Sequence, residues 1–402
     1  MAVVSPSLDK RHGTERAVTE QVVRLAQQYG FEIHLYSQQV SERALDAPDA
    51  TASSCNVTWH KVPRIPGPHL LQFLCWLICN SFLRKWSVRH ADHSSKDIVL
   101  SAGINCFDAD IIIVHVLFHR LRELSRASIQ NGLAGASLVR RLHRRMYYSL
   151  MSALERRIYR NPNVSLAAVS GRTAAALAQY FNRRNVPIIP NGVDHAEFNL
   201  SARLTRRAAA RARRNFNEQD FVLLMIGNDW RVKGLPLILF AMAALPHLPL
   251  RMLVAGDDDS SPFRRKAALL GIADRCTWES PRTEVIDLYA AADVYVSPTL
   301  EDSFGLPVLE AMGCGLPAIT SVFAGAADLI RSEIDGFILS DPDDPGPLTQ
   351  LLQRLYEDES YRLRIGAAAA RTAQEWTWDR SAEALRCLLE EVVARKKDYH
   401  SN

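Results

Sequence analysis

The stretch SPTLEDSFGLPVLEAMGCGLP, residues 297–317, restricts the possible folds of this chain more than any other part of the sequence. The residues just before it, 293–296, have strand propensity, and Pro298 ends any strand ladder. Gly305 and Pro307 then interrupt the chain before a helical run, Val308–Met312. The sequence therefore predicts a strand, an acidic loop and a helix in direct succession, the repeating unit of a doubly wound α/β domain.

Two carboxylates, Asp302 and Glu310, bracket the start of this predicted helix. A helix N-terminus presents unpaired N–H groups and a positive dipole end, which suit a phosphate. Carboxylates accept hydrogen bonds from neighbouring sugar hydroxyls. One loop can thus hold a nucleotide sugar at both ends, although a solvated loop that caps an ordinary helix has the same pattern.

Strand-like and helical segments alternate through both halves of the chain, and 402 residues exceed what one hydrophobic core usually serves. We expect two doubly wound Rossmann-like domains that bind ligands outside the carboxyl ends of their strands. The basic stretch 201–214, a polar helix or a linker, places the boundary near residue 195. The expected parts are residues 1–194, 195–376 and 377–402. Within the second domain, Asp335-Gly336 suggests a hairpin.

Charge divides unevenly between the halves. Residues 1–200 hold 24 Lys and Arg against 15 Asp and Glu, whereas residues 201–402 hold 24 against 29. A basic half favours a polyanionic partner, and anionic lipid or a phosphorylated acceptor is a better candidate than nucleic acid. Unplanned charge scatter is the alternative.

The seven cysteines are odd in number and form no C-x-x-C pair, which indicates a reducing compartment. The sequence also opens almost directly with a short apolar strand and lacks the pattern of a signal peptide, so a cytoplasmic location is expected.

The longest apolar stretch, Leu70–Leu83, is too short to cross a bilayer. It is either a buried core helix or an interfacial helix that presents Phe73, Trp76 and Phe82 to lipid.

A second helical pattern, residues 137–160, combines an apolar stripe with many arginines. Such a helix either lies on an anionic membrane or forms a solvated outer helix. The stripe consists of Leu142, Met146, Leu150 and Leu154, and the arginines are Arg140, Arg141, Arg144, Arg145, Arg156, Arg157 and Arg160.

The acidic loop resembles the acid-x7-acid motif of glycosyltransferase family 4, in the GT-B superfamily. Glu310 matches the second acid, while Asp302, with Glu301 just ahead of it, stands at the first. Residues 191–194, NGVD, resemble the signature that closes the family's first domain. The resemblance implies an acceptor-binding first domain and a nucleotide-sugar-binding second domain facing a central cleft, with a last helix that crosses back.

The resemblance also implies site residues in the first domain. Gly13 lies where the family has a glycine turn that faces the donor diphosphate. His115 closes a D-x-x-x-x-H step and would help to place the transferred sugar, with His119 as the second choice.

In the second domain, glycines and cations of residues 227–234, GNDWRVKG, meet a helix N-terminus, an arrangement that grips a diphosphate. Lys233 and Arg231 are the expected cations. The resemblance implies donor contacts from Phe304, Gly305 and Leu306, and base contacts from a loop near 280–282. The aspartates 257–259 are expected to form a solvated acidic turn rather than a metal site.

The implied function is retaining, metal-independent transfer of a hexosyl group from a UDP- or GDP-sugar to an acceptor hydroxyl, in polysaccharide or glycolipid assembly. No cofactor and no metal are expected. The expected partners are a nucleotide sugar, a carbohydrate or lipid-linked acceptor and, peripherally, an anionic membrane, but no nucleic acid. The alternatives are a GT-B nucleotide-sugar epimerase, a phosphorylase or a non-catalytic scaffold.

Overall fold

The computed structural model describes residues 1–10, 13–41, 56–90, 98–130, 138–281 and 284–401. They divide into two compact units: unit 1 comprises residues 1–190 with 379–402, and unit 2 comprises residues 191–378. The divisions lie at 190/191 and 378/379, compared with 194/195 and 376/377 expected from the sequence.

The strands of unit 1 are β1 Ala2–Val4, β2 Ser7–Leu8, β3 Ile33–Ser37, β4 Gln39–Val40, β5 Val57–Lys61, β6 Val99–Ala102, β7 Ile111–Val114 and β8 Ser165–Ala168. Six of them form a parallel sheet with the order β5-β3-β1-β6-β7-β8, and β2 and β4 form a two-stranded parallel ribbon. The central strands are short apolar runs such as IIIV in β7, all buried, as expected where helices cover both faces. The helices are α1 Gly13–Gln27, α2 His69–His90, α3 Phe118–Gln130, α4 Leu138–Tyr159 and α5 Gly171–Phe181.

The apolar segment Leu70–Leu83 lies in α2, which has one buried face and one exposed face. Trp76 is 2% exposed and lies in the core with partly buried Phe73, so the core alternative holds for these two side chains and the interfacial alternative does not. Phe82 is 70% exposed. The helix therefore contributes to the core along one side and leaves apolar side chains in solvent along the other.

The predicted basic helix is α4, and its apolar stripe divides in the same way. Leu150 and Leu154 pack against the core of unit 1, whereas Leu142 and Met146 are more than half exposed. The side chains of Arg140, Arg141 and Arg144 lie outside the part of the chain that the structure describes.

Unit 2 repeats the design, with a six-stranded parallel sheet in the order β11-β10-β9-β12-β13-β14. Its strands are β9 Phe221–Ile226, β10 Leu250–Ala255, β11 Cys276–Glu279, β12 Val294–Ser297, β13 Ala318–Ser321 and β14 Phe337–Leu339. Its helices are α6 Leu200–Ala212, α7 Leu235–Ala243, α8 Ser261–Leu269, α9 Ile286–Ala291, α10 Leu306–Gly313, α11 Pro345–Glu357 and α12 Glu359–Ala373, with 3₁₀ turns at Ala273–Arg275 and Gly325–Leu329. The prediction of two doubly wound α/β domains is confirmed.

The hairpin expected at Asp335-Gly336 is wrong, because β14 runs parallel to β13. Asp335 is fully buried and accepts hydrogen bonds from the Arg331 N–H at 2.7 Å and the Thr372 hydroxyl at 2.9 Å. The Asp-Gly pair therefore belongs to a turn that leads into a crossover strand.

The C-terminal helix α13, Trp378–Ser401, packs in unit 1 from Asp379 onward. Gln21 of α1 donates to the Ser381 hydroxyl at 3.0 Å, and Arg24 donates to Asp379 at 2.6 Å. Further along, the Lys396 ammonium lies 2.5 Å from the Asp110 carboxylate. These contacts fasten α13 to unit 1 at both ends.

The strand orders locate one switch point in each sheet. Connections leave in opposite directions between β1 and β6 in unit 1, and between β9 and β12 in unit 2. Loops at the carboxyl ends of these strand pairs are where doubly wound proteins bind ligands. Among the described residues, no helix is long and apolar enough to span a membrane.

Candidate active site

The loop after β9, residues 227–234, is shaped by two glycines. Gly227 and Gly234 have φ of 134° and 84°, in the region that favours glycine. A Cβ on Gly234 would lie 2.2 Å from the Pro298 carbonyl oxygen, so this position also requires a residue without a side chain. The Trp230 indole donates to the Gly227 carbonyl at 2.7 Å and closes the loop on itself.

Neighbouring loops hold this loop in place. The Trp230 N–H donates to the Asp258 carboxylate at 2.9 Å, and the Asp257 N–H donates to the Asn228 side chain at 2.8 Å. On the other side, the Leu300 N–H donates to the Val232 carbonyl at 2.7 Å. Asp257, Asp258 and Asp259 are exposed, as expected for a solvated acidic turn. Asp258 also holds the loop of residues 227–234 in place through its hydrogen bond with Trp230. In the part of the chain that the structure describes, no cluster of three His, Cys, Asp or Glu could hold a metal ion.

Lys233 and Asp302, predicted separately from two loops, form an ion pair across the switch point of unit 2. Their side chains are 18% and 17% exposed, so a ligand at this edge can reach both. The backbone of Asp302 is fixed by its N–H donating to the Phe323 carbonyl at 3.0 Å and by the Gly325 N–H donating to its carbonyl at 2.8 Å. A cation and an acid thus stand together where the fold places its ligand.

Glu301, the other candidate for the first acid, is held differently. Its N–H donates to the Thr299 hydroxyl at 3.2 Å, and its carbonyl accepts from the same hydroxyl at 2.9 Å. Of the two adjacent acids, the structure joins Asp302 to Lys233.

Helix α10 begins after Gly305, whose φ of 92° requires glycine. Phe304, Gly305 and Leu306 are buried, so access to their N–H groups is limited. Four residues into the helix, the 5% exposed Glu310 accepts a hydrogen bond from the Tyr289 hydroxyl at 2.6 Å. Burial, and next the charge of Glu310, raise the pKa of Tyr289 well above its usual range, so Tyr289 remains a donor to this carboxylate. Sequence reasoning missed Tyr289.

Lys266 of α8 is a further cation that the sequence did not indicate. Its Nζ atom lies 4.0 Å from the centre of the Phe240 ring. Burial, and next the positive charge of nearby Arg231, lower the pKa of Lys266.

In unit 1, Gly13 is the exposed first residue of α1, and residues 11 and 12 of the predicted turn lie outside the described residues. His115 follows β7 directly and is 6% exposed. Burial lowers its pKa to about 4, so the imidazole is neutral at physiological pH. No hydrogen-bond partner for its buried Nε2 atom is found among the described residues.

Glu155 of α4 binds the first residues of α3, Phe118 and His119, which follow His115 in the chain. Its fully buried carboxylate accepts from the N–H groups of Phe118 and His119 at 2.6 and 2.9 Å and lies 2.7 Å from the His119 imidazole. It therefore caps α3, since the first N–H groups of a helix have no partner within it. Sequence reasoning missed this role, although Glu155 is the only acid in the basic stretch 137–160.

Two family models match the chain. "Glycosyltransferase Family 4" matches residues 11–197, and "Glycosyl transferases group 1" matches residues 206–372. The curated relatives include D-inositol 3-phosphate glycosyltransferases from Salinispora arenicola, 32% identical over 52% of this chain and 50% of the relative, and from Thermobifida fusca, 30% identical over 55% and 53%. These matches span about half the length of the relatives.

Solved structures share the fold over nearly their whole length. WaaG, a glycosyltransferase involved in lipopolysaccharide biosynthesis, aligns with a TM-score of 0.74 at 19% identity, over 95% of this chain and 97% of its own. Sucrose-phosphate synthase from Thermosynechococcus elongatus aligns with a TM-score of 0.74 at 20% identity, over 98% of this chain and 99% of its own. Anabaena HepE in complex with UDP and glucose aligns with a TM-score of 0.69 at 16% identity, over 97% of this chain and 100% of its own.

These likenesses and the two doubly wound units define a GT-B fold. With adjacent family models running from residue 11 to residue 372, the chain belongs to glycosyltransferase family 4.

Proposed function

We propose that the protein is a retaining, metal-independent glycosyltransferase that moves a hexosyl group from a UDP- or GDP-sugar to an acceptor hydroxyl. The observation that carries the proposal is the ion pair of Lys233 and Asp302 at the switch point of unit 2. Glycosyl transfer needs both kinds of group: cations for the diphosphate and an acid for the sugar.

The cations act on the leaving group. As the glycosidic bond breaks, negative charge develops on the diphosphate, and preorganised cations stabilise it most because they need no reorganisation at that moment. Asp302 keeps Lys233 in place before the donor arrives. Lys233 and Arg231 supply positive charge of the kind that a divalent ion supplies in metal-dependent enzymes.

The acids hold the donor. Asp302 accepts from hydroxyls of the transferred sugar, and Glu310 accepts from those of the ribose. Tyr289 donates to one oxygen of Glu310, and a carboxylate has about four acceptor positions in all.

In unit 1, His115 positions the transferred sugar through a neutral ring, since its pKa of about 4 keeps it uncharged. The acceptor proton passes to the leaving phosphate oxygen, so the reaction needs no pair of carboxylates at glycosidase spacing.

The relatives suggest which substrates to test first. HepE was solved with UDP and glucose, which supports UDP-sugars as donors. WaaG is named for lipopolysaccharide biosynthesis, which supports polysaccharide or glycolipid assembly. The inositol 3-phosphate enzymes make a phosphorylated polyol a second acceptor class, and the basic first half of this chain suits either anion.

A thermal-shift panel of UDP, GDP, ADP and their sugars, with and without EDTA, tests the proposal, because a ligand that binds only the folded state raises its melting temperature. We expect a shift with one nucleotide family that EDTA does not change. Calorimetry should show weaker nucleotide binding by Glu310→Ala. No shift with any nucleotide would overturn the proposal in favour of a scaffold. Release of the nucleotide without an acceptor would favour an epimerase. A requirement for inorganic phosphate would favour a phosphorylase.

A further inference from the structure

We infer that unit 1 carries a membrane-docking surface that binds the face of a bilayer containing anionic lipid. The surface consists of the outer side of α2 and the exposed segment before it, residues 59–86. The inference deepens the proposed function and rests on it for the setting in which a lipid-linked acceptor is met, but its evidence comes from unit 1 alone.

The inner side of α2 is fixed to the loop between β6 and β7, so the helix cannot turn its exposed apolar residues inward. Trp76 donates from its indole to Asn105 at 3.1 Å, and fully buried Asn80 donates to the carbonyl of the same residue at 3.1 Å. One turn further on, Arg84 makes two bonds to Asp108 at 2.6 and 2.8 Å.

The outer side of α2 is a continuous apolar stripe. Leu71, Ile78, Phe82 and Trp86 are 53%, 68%, 70% and 52% exposed. Their spacings of seven, four and four residues place them on one side of a helix, over a length of about 22 Å at 1.5 Å per residue. Single exposed apolar side chains are ordinary, but a contiguous row marks an interaction site.

Trp59 and Ile65, which precede α2 in the chain, are also exposed, at 40% and 38%. Among the described residues, 18 large hydrophobic side chains are exposed, and residues 59–86 hold six of them. This short part of the chain therefore has far more than its share.

The charges around the stripe indicate its occupant. Residues 56–90 contain no Asp or Glu but five Lys and Arg. Lys61 and Arg64 are exposed before the helix, and Lys85 is exposed near its end. Cations that border an apolar stripe, with tryptophans at both ends, fit the boundary between headgroups and acyl chains of an anionic bilayer.

A second copy of the chain fits this surface less well. A two-fold contact would bring the same patch of each copy together and would place like charges face to face. A protein partner would need carboxylates to match these cations, whereas anionic lipid supplies negative charge wherever the stripe lands.

The test is co-sedimentation of the full chain with vesicles of equal parts phosphatidylcholine and phosphatidylglycerol, and with vesicles of phosphatidylcholine alone. The test variant is Ile78→Ser with Phe82→Ser. The matched control is Leu269→Ser with Leu363→Ser, which removes two side chains that are 89% and 58% exposed in unit 2. A charge variant replaces Lys61, Arg64 and Lys85 by Gln.

We expect the unchanged protein and the control to bind the anionic vesicles, and the α2 variant to bind roughly tenfold more weakly, because two apolar side chains no longer enter the bilayer. The charge variant should also bind more weakly, and added salt should lower the binding of the unchanged protein. Equal binding by the α2 variant and the control would overturn the inference, as would absence of binding by the unchanged protein. A dimer that only the α2 variant dissociates, without vesicle binding, would assign the surface to a second copy instead. The nucleotide thermal shift is measured on the same samples. A protein that shows the thermal shift but does not bind vesicles would refute the membrane-docking surface and leave the proposed function standing.

Discussion

The two units have matching sheets but use their polar side chains in different places. At its switch point, unit 2 joins Lys233 to Asp302, and Trp230 and Asp258 tie the neighbouring loops together. Unit 1 uses buried polar contacts to fasten helices, with Glu155 capping α3 and Arg84 binding Asp108 behind α2. One fold can thus be specialised either to hold a charged ligand at a strand edge or to present helices on its surface.

The largest expected effect tests the charged edge of unit 2. Lys233→Ala should lower the transfer rate by on the order of a thousandfold, or about 4 kcal/mol, because the leaving diphosphate loses a preorganised cation. Steady-state kinetics with donor and acceptor would measure this. Lys397→Ala, which removes an exposed lysine of α13, is the control and should leave the rate unchanged. Equal rates in the two variants would remove Lys233 from the site.

A second prediction concerns the tight meeting of two loops in unit 2. Gly234→Ala should cost roughly 2 to 3 kcal/mol more free energy of unfolding than Gly271→Ala. Both glycines have left-handed φ, 84° and 71°, so both variants share the cost of that conformation. A new Cβ meets the Pro298 carbonyl at position 234 and nothing within 4 Å at position 271. Urea denaturation would measure the difference, and identical midpoints would contradict this account of the loop.

The neighbouring acids offer a comparison within one loop. Asp302→Asn should lower kcat by about a hundredfold, or about 2.7 kcal/mol, because it weakens the ion pair with Lys233 and the grip on the donor sugar. Glu301→Gln should change kcat by less than about threefold, since the carboxylate that pairs with Lys233 is that of Asp302, and Gln keeps the backbone bonds of Glu301 with Thr299. The reverse order would make Glu301 the functional acid.

The smallest predicted effect lies in unit 1 and depends on pH. Burial lowers the pKa of His115 to about 4, from 6.5, so the unfolded chain takes up the proton first as the pH falls. Stability from this group is complete above pH 6.5 and is lost progressively down to about pH 4. At pH 5.5 the loss should be about 1 kcal/mol relative to pH 7.5. His115→Gln removes this contribution, so the free energies of unfolding of the two proteins should converge on acidification. A constant difference across this range would show that His115 titrates normally.

Much of the fold could be predicted from the sequence. Strand β9, residues 221–226, is an uninterrupted apolar run followed directly by a glycine turn, a pattern that predicts a buried strand from the sequence. The loops that carry Lys233 and Asp302 were also predictable, since glycine and proline mark where strands end. The ion pair between them was not, because its partners are 69 residues apart in the chain.

The parts of the candidate site that sequence reasoning missed are contacts of the same long-range kind. Asp258 binds the Trp230 N–H from 28 residues away, Tyr289 binds Glu310 from 21, and Glu155 binds His119 from 36. Spacing along the chain reports which face of a helix a residue occupies but not what that face meets. For the same reason, the sequence left open whether Trp76 faces the core or lipid, and the structure places it in the core.

The placement of α13 affects how the protein is made. Unit 2 is one continuous stretch, residues 191–378, whereas unit 1 also needs the helix that follows it. At about 5 to 20 residues per second, a ribosome takes roughly 10 to 40 s to synthesise the intervening unit. Throughout that time the nascent first 190 residues lack the side chains of Leu385, Leu389 and Val392, which are buried in the finished protein. The unit that emerges first is thus the last to be completed, and its unfinished surface is what chaperones would meet during translation.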